Sequence, residues 1–143
     1  ETIFNGLMIK ETILSGLTIG LIVFGFWYWL VSYKIVDELH ARTLVLMLMV
    51  FMQNFHTFNC RSESISIFQV PLKRNIILVF GVLIAQGIHI LSMQIPFMQK
   101  LLSIESITMI EWGYILSLAI PIILVMEIFK FINKKTSKSI HAR

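Results

Sequence analysis

Long apolar runs separated by short charged stretches set the plan of this chain. The first run lies between Glu11 and Lys34 and is rich in Ile, Leu, Val and Phe, and the second lies between Arg42 and Arg61. The third extends from Arg74 toward Lys100 and is expected to end near Pro96, while the fourth starts near Trp112 and reaches about Phe131 with Pro121 inside it. At about 1.5 Å per residue, each run can cross a hydrocarbon layer of about 30 Å as a helix. Strands are not expected, because an open sheet edge in lipid would leave backbone groups unpaired at several kcal/mol each. The pattern therefore predicts an all-α integral membrane bundle of four transmembrane helices, a single domain over residues 1–143. Its spans are expected at about 13–33, 43–60, 76–96 and 112–131.

Composition agrees, since 57% of residues are apolar, only 14% are charged and the mean hydropathy is +0.82. Soluble domains hold about 45–50% apolar residues. The basic residues then orient the bundle, because Lys and Arg are retained on the cytoplasmic side of short loops. With four spans, Lys10, Arg61, Lys73, Arg74, Lys130, Lys134, Lys135, Lys138 and Arg143 share one side, against Lys34, Arg42 and Lys100 on the other. Both termini are predicted to be cytoplasmic, as is the polar loop from Arg61 to Asn75 with Ser62, Glu63, Ser64 and Pro71. Trp27, Tyr28, Trp29, Tyr33, Trp112 and Tyr114 all fall toward the outer ends, where amphipathic rings anchor a bundle at the headgroup level. Neither a signal peptide nor a basic, aromatic-interleaved nucleic-acid surface is legible, and Glu1 in place of Met reads as the cut edge of something longer.

Few residues carry possible chemistry. Gly16 and Gly20 have the GxxxG spacing that lets two backbones approach closely, so that face expects a partner helix, inside or outside this chain. In the second run Gln53, His56, Thr57 and Cys60 recur at i, i+3, i+4 and i+7 and make one polar stripe facing protein or a water-filled cavity. Gln53 lies about 15 Å in from Arg42, near the bilayer midplane where transporters place ion sites. The plainer reading is interhelical hydrogen bonding, at about 0.6 kcal/mol per bond. His56 and His89 do not suit a shared haem, because they are expected about 7 Å and about 22 Å from the inner edge while axial ligands must meet at one level. Glu127, one turn before Lys130, is expected to pair with a lysine that snorkels to the interface. No glycine is followed by the Lys-Ser/Thr of a phosphate-cradling loop, no zinc or Ser/His/Asp pattern appears, and the only aspartate, Asp37, is predicted on the outer face. No catalytic residue is assigned to the chain. The single Cys60 rules out an intrachain disulfide.

The stretch Arg42 to Glu63, centred on Met52-Gln53-Asn54-Phe55-His56-Thr57-Phe58-Asn59-Cys60-Arg61, resembles the eighth transmembrane helix and following loop of type II P-type cation-transporting ATPases, notably calcium pumps. Downstream, Ser66 to Pro71 is similar to their short cytoplasmic loop, and Ile88-His89-Ile90-Leu91 to Pro96 to the ninth helix and its exit. Glu111-Trp112, Pro121 and Met126 to Phe131 resemble the tenth helix, and the first run the seventh. The resemblance implies the C-terminal membrane domain of a pump that exports a cation, most simply Ca²⁺, through a cytoplasmic aspartyl-phosphate, using ATP and Mg²⁺. It implies as partners the remaining transmembrane helices and cytoplasmic domains, the lipid bilayer, and no nucleic acid; a bacterial plasma membrane is the expected location. On that resemblance Gln53, with Thr57 beside it, becomes a partial metal ligand, the other ligands belonging to helices outside this chain. Ca²⁺ needs six to eight oxygens, so the chain alone is not expected to bind it tightly. A stand-alone four-helix membrane protein that binds a partner protein or lipid, without transport, is the competing expectation.

Overall fold

The computed structural model describes residues 6–62 and 65–140, so Glu63, Ser64 and Arg143 of the expected loop and basic tail lie outside the described residues. The described residues are helical, without strands: α1 is Gly6–Ser32, α2 Glu38–Asn59, α3 Ile76–Ser92, α4 Pro96–Leu102 and α5 Met109–Ile140, with one 3-10 turn at Leu72–Asn75. A helix thus covers each apolar run, as backbone pairing in lipid demands.

Three of these helices make the core. α1 buries Glu11, Ser15, Ile19, Phe26 and Leu30, a stripe of i+3, i+4 spacing. α2 buries Ala41, Leu44, Leu48, Met52 and Asn59 on one face, with Thr43 and Met47 beside it. α5 presents Ile115, Ala119, Ile122, Met126 and Lys130, and α2 packs most extensively against it. Phe51 and Trp112 meet edge to face, 5.6 Å apart, across the same seam. α2 and α5 run in the same direction, and α1 runs against both, since the start of α2 faces the start of α5 and the end of α1.

α3 stands apart. It has no fully buried residue, although its composition is largely apolar. Its side-chain link to α2 is Gln86, whose Oε1 accepts from Asn54 Nδ2 at 2.8 Å and whose amide reaches Met47 Sδ at 3.6 Å. The expected third run to Pro96 is also interrupted: α3 stops at Ser92, and Pro96 opens α4 after a bend of 98°. Proline lacks the N–H that would continue the ladder and suits a first helical turn, so it starts a new helix rather than extending the old one. By length and composition α1 and α5 can cross a membrane, and α3 with α4 would add a third crossing if the bent pair is one span. α2 has the length but is diluted by Gln53, Asn54, His56, Thr57 and Asn59 in its second half. Pro121 is accommodated inside α5 without a break.

Candidate functional site

The residues singled out from sequence lie on the side of α1 and α2 that turns away from the core. Gly16 and Gly20 are exposed, and a Cβ built on either meets nothing within 4 Å. Among the described residues nothing packs closely on either glycine. Gln53 is exposed on α2, Thr57 is partly so, and Thr57 Oγ1 donates to the Gln53 carbonyl at 2.8 Å.

One groove joins the two helices on that side. A cavity of about 370 Å³ is walled by Trp27 of α1, by Arg42, Leu46 and Met49 of α2, and by Leu102 to Ile104. Seven residues of helix return to within about 20° of the same direction, so Gly20 shares Trp27's face, and Gln53 lies within about 40° of Met49. Gly16, Gly20 and Gln53 thus open onto one common face, which carries the polar stripe of α2 along its length. The stripe continues to His56 and Cys60, whose Sγ lies 3.4 Å from His56 Nε2. No group of three or more His, Cys, Asp or Glu residues among the described ones could hold a metal ion. Gln53 and Thr57 offer a metal neutral oxygens only.

Two polar locks, one at each end, hold α5 against α2 and fix this face. At the end of α2, Lys130 is buried to 3% exposure. Its ammonium donates to the Asn59 carbonyl at 2.8 Å and to the Ile65 carbonyl at 3.4 Å. The expected pairing with Glu127 is present at 3.9 Å, but the lysine does not snorkel outward. The last carbonyls of a helix have no intrahelical donor and carry the negative end of its dipole, so they draw the cation inward. Glu127 Oε1 meanwhile accepts from the Ile67 N–H at 2.8 Å, and Arg61 clips the same loop by donating to the Val70 and Pro71 carbonyls. At the start of α2, His40 bridges Glu105 and Glu111. Sequence reasoning passed over His40 and Glu105, since their partners lie 65 and 71 positions away and no periodicity connects them.

The family model described as "Cation transporting ATPase, C-terminus" matches residues 1–132. The chain belongs to that family. Within it, the ATPase C-terminal block is similar to a calcium-transporting ATPase of Plasmodium falciparum (isolate K1 / Thailand), with 29% identity over 107 residues. That alignment takes in 75% of the block and 9% of the relative, so the block spans a small part of the protein it matches. An integral membrane part of a P-type cation ATPase explains why an all-helical, lipid-soluble chain keeps one face closed and another, polar and glycine-bearing, open.

Proposed function

We propose that this block crosses the membrane four times as one domain, with both termini cytoplasmic, and serves an ATP-driven pump whose transported ion is Ca²⁺. It braces the transport helices through Gly16 and Gly20, and lends Gln53, with Thr57 beside it, to the ion site. The observation that carries this reading is the shared open face: Gly16 and Gly20 of α1 and Gln53 of α2 are exposed on one side, and no described residue lies within 4 Å of a Cβ built on either glycine. A helix seated against the glycines would lie beside Gln53. α2 counts as a crossing on this reading because the other helices of the pump would cover its open polar face and keep it from lipid. The 29% likeness to a calcium-transporting ATPase supports Ca²⁺ as the ion. Most of the six to eight oxygens, the Mg²⁺·ATP site and the phosphorylated aspartate would come from other parts of the pump.

ATP-dependent ⁴⁵Ca²⁺ uptake into inverted vesicles carrying the complete protein tests the assignment, with Gln53→Ala compared to wild type. Loss of uptake, with expression and phosphoenzyme formation from inorganic phosphate retained, is the expected result. Unchanged uptake and unchanged calcium affinity would remove Gln53 from the ion path and leave the block as scaffold alone.

A further inference from the structure

His40 sits in the first turn of α2, and its backbone N–H donates to the N-cap Asp37 at 2.8 Å. Its ring reaches two carboxylates at once, with Nδ1 2.8 Å from Glu105 Oε2 and Nε2 2.6 Å from Glu111 Oε1. Glu105 belongs to the segment joining α4 to α5, and Glu111 to the first turn of α5. Both acids are themselves anchored: Glu111 Oε2 accepts from the Thr108 N–H and Oγ1 at 2.7 Å each, and the Glu105 N–H donates to Thr43 Oγ1 at 3.1 Å. A neutral imidazole has one N–H to give, and its other nitrogen presents a lone pair. Two ionised carboxylates at these distances are both satisfied only by the imidazolium, which donates twice.

We propose that His40, Glu105 and Glu111 form a proton-binding clasp that ties α2 to α5 and to the 103–108 segment, and that opens when the proton leaves. With the proton bound the triad carries one net negative charge. Without it, two carboxylates face a neutral ring that can hold only one of them, and Glu105, at 40% exposure the more solvated, is the one released. Glu105 directly follows Ser103 and the core residue Ile104, which wall the groove beside Arg42. The clasp thereby controls the rim of the face that Gly20 and Gln53 share, and it does so whatever ion that face serves.

The sign follows from the groups around the ring. Burial opposes charging His40, but the hydrogen bonds and charges of Glu111 and Glu105 outweigh it and raise its pKa above 6.5. A raised histidine value means that the clasp is complete below the ordinary value and is lost as pH climbs through the raised one. Glu111 faces the ring from α5, Glu105 from the connecting segment and Asp37 from the cap of α2. The neighbouring charges Lys34, Glu38 and Arg42 make no ion pair with the triad among the described residues.

Hydrogen–deuterium exchange of the full-length protein in lipid nanodiscs, between pH 6 and 9.5 with exchange times scaled for the intrinsic pH dependence, reads the clasp directly. The Glu105 amide should lose protection by about tenfold or more as pH rises, the change expected for releasing a contact worth about 1.4 kcal/mol, while the Thr108 amide, held by Glu111, stays protected. His40→Gln, which cannot take up the proton, should show no such transition. Glu105→Gln should move the wild-type midpoint down by about one unit or more, because one of the two opposing charges is gone. Protection that stays flat across the range in wild type, or a transition that persists unchanged in His40→Gln, would overturn the proposal. Should His40→Gln fail to fold, an unshifted midpoint in Glu105→Gln overturns it equally.

Discussion

Lys130→Met is the sharpest test of how α5 is fastened. Methionine keeps most of the apolar stem of lysine and removes the ammonium, so the packing of the buried position is nearly preserved. What disappears is the charged donor to the Asn59 carbonyl at 2.8 Å, together with a longer bond to Ile65 at 3.4 Å. A hydrogen bond from a charged group is worth about 1.5–3 kcal/mol. The carbonyl that lost it is left in a place where Asn59 itself is fully buried. An overall cost of about 2–3 kcal/mol follows, and at roughly 2–4 °C per kcal/mol it lowers the unfolding temperature by about 4–12 °C. Tryptophan fluorescence during a thermal melt in detergent reports it, because Trp112 packs edge to face on Phe51 across the α2–α5 seam. A second variant separates two reasons for the same loss. If Lys130 mattered only by offsetting the charge of Glu127, adding Glu127→Gln would restore the stability; since its nearest partner is the helix carbonyl, the double variant is expected to stay as unstable as the single one or worse. A shift of under about 1 °C for Lys130→Met would refute the capping role.

Other consequences are more quickly checked. Gly20→Leu should leave the melting temperature of this block within about 2 °C of wild type, since nothing lies within 4 Å of the added carbon, yet it should abolish transport in the complete pump. Asn59→Leu should be neutral or stabilising by about 1 kcal/mol in a denaturation series, because both side-chain polar atoms are buried without a partner among the described residues and the carbonyl used by Lys130 is unaffected. A loss of more than about 1 kcal/mol would mean that the amide is satisfied by a bound water or by another part of the pump.

Helix positions were legible from the apolar runs, because in lipid only a helix satisfies the backbone and hydropathy has no competing signal. The end of the third run was not. Met93-Gln94-Ile95 carries no charge and no glycine, and only Pro96 marked a boundary, so the turn of α4 by 98° could not be told from a simple exit. The open face could be read in part: GxxxG and the Gln53 stripe were visible as spacings within single helices, whereas their sharing one side depends on how α1 and α2 pack. Both end locks escaped for the same reason. Lys130 was visible as an i, i+3 partner of Glu127, but its inward turn depends on where α2 ends relative to α5. His40 stands beside Asp37 and Glu38 with no spacing that links it to Glu105 or Glu111, which become its neighbours only in three dimensions.

The order of the helices along the chain bears on how the domain is made. α2 packs chiefly on α5, but residues 60–108, with α3 and α4, lie between them. At about 5–20 residues per second a ribosome needs about 2–10 s to add that stretch. Through that interval the α1–α2 hairpin stands without the α5 face that it packs on and without the Lys130 ammonium at the Asn59 carbonyl, while α3, none of whose residues is fully buried, covers it only in part. Arrival of α5 therefore completes the core in a single step rather than extending one already formed. Chains that stop before Met109 should be handled by the cell as unassembled membrane proteins and degraded, even though Gly16, Gly20, Gln53 and Thr57 of the open face have already been made.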